Sequence, residues 1–145
     1  MAGEDQLTDA ERALRDLMLG WTGLFAAGAA AFAINPQRTT STLNLLPGPS
    51  LPGHDELFWN ALAVSLMATL TALAAMAATD IRHRRHLVVP LMLSKAVSSG
   101  MFLRRYTSTR PRRTPYLAGL ACDGGILLLT AQRYLATFRS SAAAS

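Results

Sequence analysis

The chain has 145 residues, 50% hydrophobic and only 16% charged, with a formal net charge of +5. That length suits one domain, and the apolar content excludes an intrinsically disordered chain. The single cysteine, Cys122, excludes an internal disulfide and any multi-cysteine metal site; within an apolar run it reads as a small packing residue.

The apolar residues concentrate in four runs, 17–34, 57–79, 87–103 and 116–132, where Lys95 and Asp123 are the only Asp, Glu, Lys or Arg. Charge is divided along the chain: residues 1–79 carry seven acids and three bases, residues 80–145 two acids and eleven bases. Every basic residue except Lys95 is arginine. Abundant Arg and Ala are what GC-rich coding produces, so arginine content is no argument for nucleic acid, and no such partner is expected.

The first helix is expected over 9–34. Thr8-Asp9-Ala10-Glu11 has the spacing of a capping box, and Leu7, Leu14, Leu17 and Met18 recur at intervals that share one side. Asn35-Pro36 ends it. A cleaved signal peptide is the competing reading, but five acids precede or enter this segment where a signal needs a basic start.

Residues 35–56 hold four prolines and two glycines and read as an irregular loop. Leu43, Leu45 and Leu46 suggest a lid over the mouth of a bundle, against the simpler reading of an extracytoplasmic connector. His54 beside Asp55 and Glu56 reads as an exposed polar loop residue.

The second helix, 57–79, is decisive. It has no charge, and 23 residues at about 1.5 Å each give about 34 Å, enough to cross roughly 30 Å of hydrocarbon. A soluble helix of that length needs a polar face, and none exists here. Asp80, His83 and His86 share a metal-like spacing, but Arg82, Arg84 and Arg85 between them would repel a cation, so no metal is expected.

The third helix is expected over 87–105, with Pro90 tolerated in its first turn and Arg104 and Arg105 reaching the interface. The fourth is expected over 115–138. Gly23/Ala27/Ala31, Ala61/Ser65/Thr69 and Ala121/Gly125 form small-residue ladders that allow close helix packing in lipid. The fold class is therefore all-α, an integral membrane four-helix bundle.

With four crossings the basic residues divide seven to six between the two sides; a third run that failed to span would make it ten to three. Four crossings are retained because a broken segment exposed to lipid is costly. The first loop is poor in Lys and Arg, which places the N-terminus in the cytoplasm of a bacterium whose plasma membrane holds the chain. The bilayer is the partner, with anionic headgroups at the basic loops.

Lys95 is the residue to single out, because a charge at that depth costs about 2.5–3.5 kcal/mol on the lenient insertion scale and needs a partner. Counting back from the connection between the third and fourth runs puts Lys95 and Asp123 at similar depths, about 10–12 Å. Ser98, Ser99, Gly119 and Thr130 fall near them by helical spacing, outlining a small polar pocket that opens toward the side of loop 35–56. Two readings follow. In one, the pair fixes helix register in a non-enzymatic structural or accessory protein with a membrane protein partner. In the other, it binds a lipid-like or quinone-like molecule or moves a proton. No third group completes a catalytic set, and no cofactor motif is present.

A helix rich in small residues, the short turn Asp80-Ile81-Arg82, and a following helix centred on Lys95 resemble small four-helix bacterial membrane proteins of the DoxX-like kind. The likeness covers the second and third helices. It implies the four-helix architecture and assigns no residue a role.

Overall fold

The computed structural model describes residues 7–44, 56–108 and 114–142, which are all helical apart from caps and one turn. The elements are α1 (Asp9–Ile34), α2 (Pro36–Asn44), α3 (Glu56–Thr79), α4 (Ile81–Arg84), a 3-10 turn (Arg85–Leu87), α5 (Val88–Ser108) and α6 (Thr114–Ala142).

Local chemistry sets these boundaries. The Thr8 hydroxyl accepts from the Glu11 N–H at 3.2 Å, while the Glu11 carboxylate accepts from the Thr8 N–H at 2.8 Å, so the capping box starts α1. Asn35 closes α1 and opens the next helix: its N–H donates to Ala31 O, and its side-chain oxygen accepts from the Arg38 N–H. The irregular reading is corrected over Pro36–Asn44 alone, where Pro36 stands at a first helical position and its missing N–H costs nothing; residues 45–55 lie outside the described residues. Asp80 repeats the device between α3 and α4, accepting from the His83 N–H. Pro90 falls in the first turn of α5 and leaves that helix intact.

The four long helices pack antiparallel. Arg85 meets Phe138, Lys95 meets Asp123 and Phe102 meets Gly119, so α6 runs back along α5. Gly28 lies against Met67, and Glu11 against Arg82, which sets α3 against α1. The most extensive packing is α1 on α3 and α5 on α6, and the two hairpins join along α1–α6 and α3–α5. One end therefore gathers the start of α1, residues 80–87 and the close of α6. The buried core lies toward that end: Leu14, Met18, Leu70, Ala74, Ala77, Ile81, Val88, Leu91 and Ile126.

The outside is apolar. Leu19, Leu24, Leu62, Leu66, Met76, Val89, Leu93, Val97, Met101, Leu117, Leu128 and Leu135 are all exposed. Three helical stretches are long and apolar enough to cross a membrane: Asp9–Ile34, Ala61–Thr79 and Ile81–Ser108. The fourth, α6, has the length at 29 residues, but Asp123, Gln132 and Arg133 dilute its apolar character.

The ladders at Gly23/Ala27/Ala31, Ala61/Ser65/Thr69 and Ala121/Gly125 face outward and do not form the contacts between helices, which corrects the expectation that they hold the helices together. Cys122 is likewise exposed rather than packed. The close approaches lie elsewhere. A Cβ on Gly119 would stand 2.7–2.9 Å from three ring atoms of Phe102, and one on Gly28 would stand 2.8 Å from the Met67 sulfur.

The two glycines predict opposite outcomes. Gly119→Ala must displace a whole ring, an overpacking cost of about 1–3 kcal/mol that exceeds the roughly 1 kcal/mol gained in helix propensity. The Met67 thioether can swing aside, so Gly28→Ala is neutral or stabilising. Thermal melting of the two variants in detergent checks the contrast, and equal melting temperatures would refute it.

Candidate functional site

Lys95 projects from α5 and Asp123 from α6, and the ammonium donates to the carboxylate at 2.8 Å. The side chains are 13% and 16% exposed, so the pair is largely removed from its surroundings. The second carboxylate oxygen accepts from the Ser98 hydroxyl, one turn after Lys95. Both oxygens of Asp123 are thus engaged, and both partners come from α5.

A third helix closes over the cation. Phe25 of α1 presents its ring to the Lys95 ammonium, with 5.1 Å to the centroid. A ring face carries partial negative charge, so this contact offsets desolvation of the ammonium in the way a cation–π pair does. Phe25 also packs against Trp21, with ring centroids 6.4 Å apart. The sequence reading missed both aromatics, although Leu14, Met18, Trp21 and Phe25 recur at three- and four-residue spacing, the signal of one buried helix face.

Thr130 is fully buried, but it belongs to a different contact. Its hydroxyl accepts from the Trp21 indole N–H at 3.0 Å. Seven residues separate it from Asp123, about 10.5 Å along the helix, so it forms a second polar tie between α1 and α6. Ser99 is buried against α6 beside Gly124, where an added Cβ would stand 3.8 Å from its oxygen. Its hydroxyl has no hydrogen-bond partner among the described residues. Nearer the α5–α6 connection the Phe102 ring packs directly over Gly119.

At the end that holds residues 80–87, Arg82 pairs with Glu11 at 3.3 Å, and Arg85 lies 4.4 Å above the Phe138 ring. The spaced trio at Asp80, His83 and His86 is committed to local structure. The His83 Nδ1 lies 3.0 Å from both Asp80 oxygens, and the His86 Nδ1 lies 3.1 Å from the His83 carbonyl. The His83 side chain and N–H hold the Asp80 carboxyl below its ordinary range, so this cap persists through neutral pH and is lost only as the pH falls through that lowered value. Among the described residues no group of three His, Cys, Asp or Glu is arranged to hold a metal ion. His54, Leu45, Leu46 and the arginines at 110, 112 and 113 lie outside the described residues, as does the side chain of Leu43.

No family model matches the chain, and no curated protein or solved structure matches it either.

The Trp21–Thr130 tie gives a direct test. Trp21→Phe leaves a fully buried hydroxyl without its donor and lowers stability by about 1–3 kcal/mol, whereas Trp21→Phe with Thr130→Val recovers much of that loss. Denaturant unfolding in micelles measures the cycle, and strictly additive losses would show that the two groups are not coupled.

Proposed function

We propose that the chain is a four-helix integral membrane protein with a structural or accessory, non-enzymatic role, in which Lys95–Asp123 clasps three helices in register. The single observation that carries this reading is the inversion of polarity. Large apolar side chains cover the exterior, while the central charges are turned inward and matched. Water would favour the opposite arrangement, and a hydrocarbon solvent favours this one.

The outer face of α6 supports counting it as the fourth crossing. Leu117, Leu128, Leu129, Leu135 and Phe138 are exposed along it, a span of about 32 Å at helical rise. Its ionisable residue at depth, Asp123, is the one the clasp neutralises. We place the chain in a bacterial plasma membrane with its N-terminus in the cytoplasm. The arginines at 82, 84, 85, 133 and 139 then meet anionic headgroups, and an accessory role implies a membrane protein partner.

A clasp suits the geometry because each oxygen of Asp123 already accepts a hydrogen bond from α5 and an aromatic face of α1 covers one side of the Lys95 ammonium, which together restrict helix register. The second reading, a small-molecule or proton-linked site, draws on one observation, the unpartnered Ser99 hydroxyl.

Topology is tested with Cys122→Ala as background. Single cysteines at Thr42 and Ser108 should react with an impermeant maleimide from one side, and cysteines at His83 and Arg139 from the other. Labelling of Arg139→Cys on the Ser108 side would remove α6 from the membrane count.

The clasp is tested by a stability cycle. Lys95→Met alone strands a carboxylate and lowers stability by about 3–5 kcal/mol, and adding Asp123→Leu restores most of it. Detergent melting curves read this directly. A double variant as unstable as the single one would end the clasp reading.

A further inference from the structure

The Lys95 ammonium carries three N–H donors, and among the described residues only the Asp123 carboxylate accepts a hydrogen bond from it. The Phe25 ring covers it on one side but supplies no lone pair. One turn further along α5, Ser99 buries a hydroxyl that is nine-tenths hidden and has no partner among the described residues.

Other hydroxyls in these helices show that this is unusual. Thr22, Ser65, Thr69 and Thr71 each donate to a backbone carbonyl of their own helix, the cheapest arrangement in an apolar surrounding. Ser98 does the same with Lys95 O, while also reaching Asp123. Ser99 faces α6 at Gly124, where the missing side chain leaves the hydroxyl room.

We propose that Lys95 and Ser99 form a binding site for a neutral oxygen group, one that accepts from the ammonium and exchanges a hydrogen bond with the Ser99 hydroxyl. Charge selects a neutral guest. Lys95 and Asp123 already cancel, so an anion would leave the interior with an uncompensated negative charge beside Asp123, and a cation would face the ammonium. An oxygen with lone pairs satisfies the spare N–H donors without changing the net charge. Two sources supply that chemistry: a buried water, or the hydroxyl of a neutral amphiphile entering from the bilayer. Gly124 lies opposite the Ser99 oxygen, where an added Cβ would stand 3.8 Å away.

The inference rests on the membrane-embedded clasp proposed above, but it fails separately. Rescue of Lys95→Met by Asp123→Leu can hold while the following test fails.

The deciding measurement is the melting temperature of detergent-purified Ser99→Ala. If the hydroxyl has a guest, its removal lowers the midpoint by about 2–4 °C. If it is a bare orphan in a dry interior, its removal relieves a desolvation cost, and the midpoint rises or stays where it was. Either of those results overturns the proposal.

Lost packing is separated from lost binding by repeating the substitution in the Lys95→Met, Asp123→Leu background. There the loss should disappear, and a loss that persists undiminished also overturns the proposal. The source is read with 1-dodecanol against dodecane as the probe. An alcohol-specific rise in the wild-type midpoint, absent from Ser99→Ala, identifies an amphiphile hydroxyl. Loss in Ser99→Ala with no alcohol response identifies water.

Discussion

An ammonium and a carboxylate in a medium that cannot hydrate them have few options, and the arrangement around Lys95 follows from that restriction. The donor sits on α5, the acceptor on α6, a supporting hydroxyl one turn from the donor, and an aromatic face on α1. Separating α5 from α6 would expose both charges to an environment that penalises each by several kcal/mol. The pair therefore adds little net attraction, but it makes wrong registers expensive. Sliding α6 by one residue would turn Asp123 about 100° away from Lys95 and also lift Gly119 off the Phe102 ring.

The remaining polar groups obey the same restriction with cheaper solutions. Hydroxyls in α1 and α3 turn back onto their own carbonyls, and the Trp21 indole finds Thr130 across the α1–α6 seam. The Trp21–Thr130 tie lies on a seam between the hairpins, where small and apolar side chains alone would fix neither rotation nor height. Within the α1–α3 hairpin the packing is mostly Ala, Leu and Met, which is adaptable, and there the Glu11–Arg82 pair at one end sets the alignment. Leu14 and Met18 are fully buried in that same region, so the electrostatic and the hydrophobic anchors of α1 coincide.

Much of this was legible in the residues. A capping box needs only four consecutive positions, and Thr8 to Glu11 supply it. Lys95 and Asp123 are single charges in long apolar runs, so each must find the other or something like it, and depth counting brings them level. What the sequence hid was of two kinds. Asn35-Pro36 both stops one helix and caps another, and only the first meaning was read, because the prolines further along outweighed the turn that follows. The small-residue ladders were read as contacts because spacing alone does not say which face turns inward. On α3 the inward face is Leu70, Ala74, Ala77 and Ala78, offset from Ala61, Ser65 and Thr69 by a rotation that composition cannot reveal. Phe25 escaped notice for a related reason, since a ring beside other apolar residues looks like packing until the cation above it is placed.

The same restriction accounts for the choice of lysine at the centre of a chain that elsewhere uses arginine. A guanidinium has five N–H donors in a rigid plane and is satisfied by a bidentate carboxylate together with water or headgroup oxygens. Arg82 and Arg85 lie at the end of the helices, where one pairs with Glu11 and the other stacks on Phe138. At Lys95 one carboxylate oxygen already accepts from Ser98, so a bidentate partner would have to share that oxygen. Even paired bidentately a guanidinium would leave three of its five donors in an apolar interior, while an ammonium leaves two, one side of it resting against a ring. Lysine is thus the cation whose unmet demand is smallest at this depth.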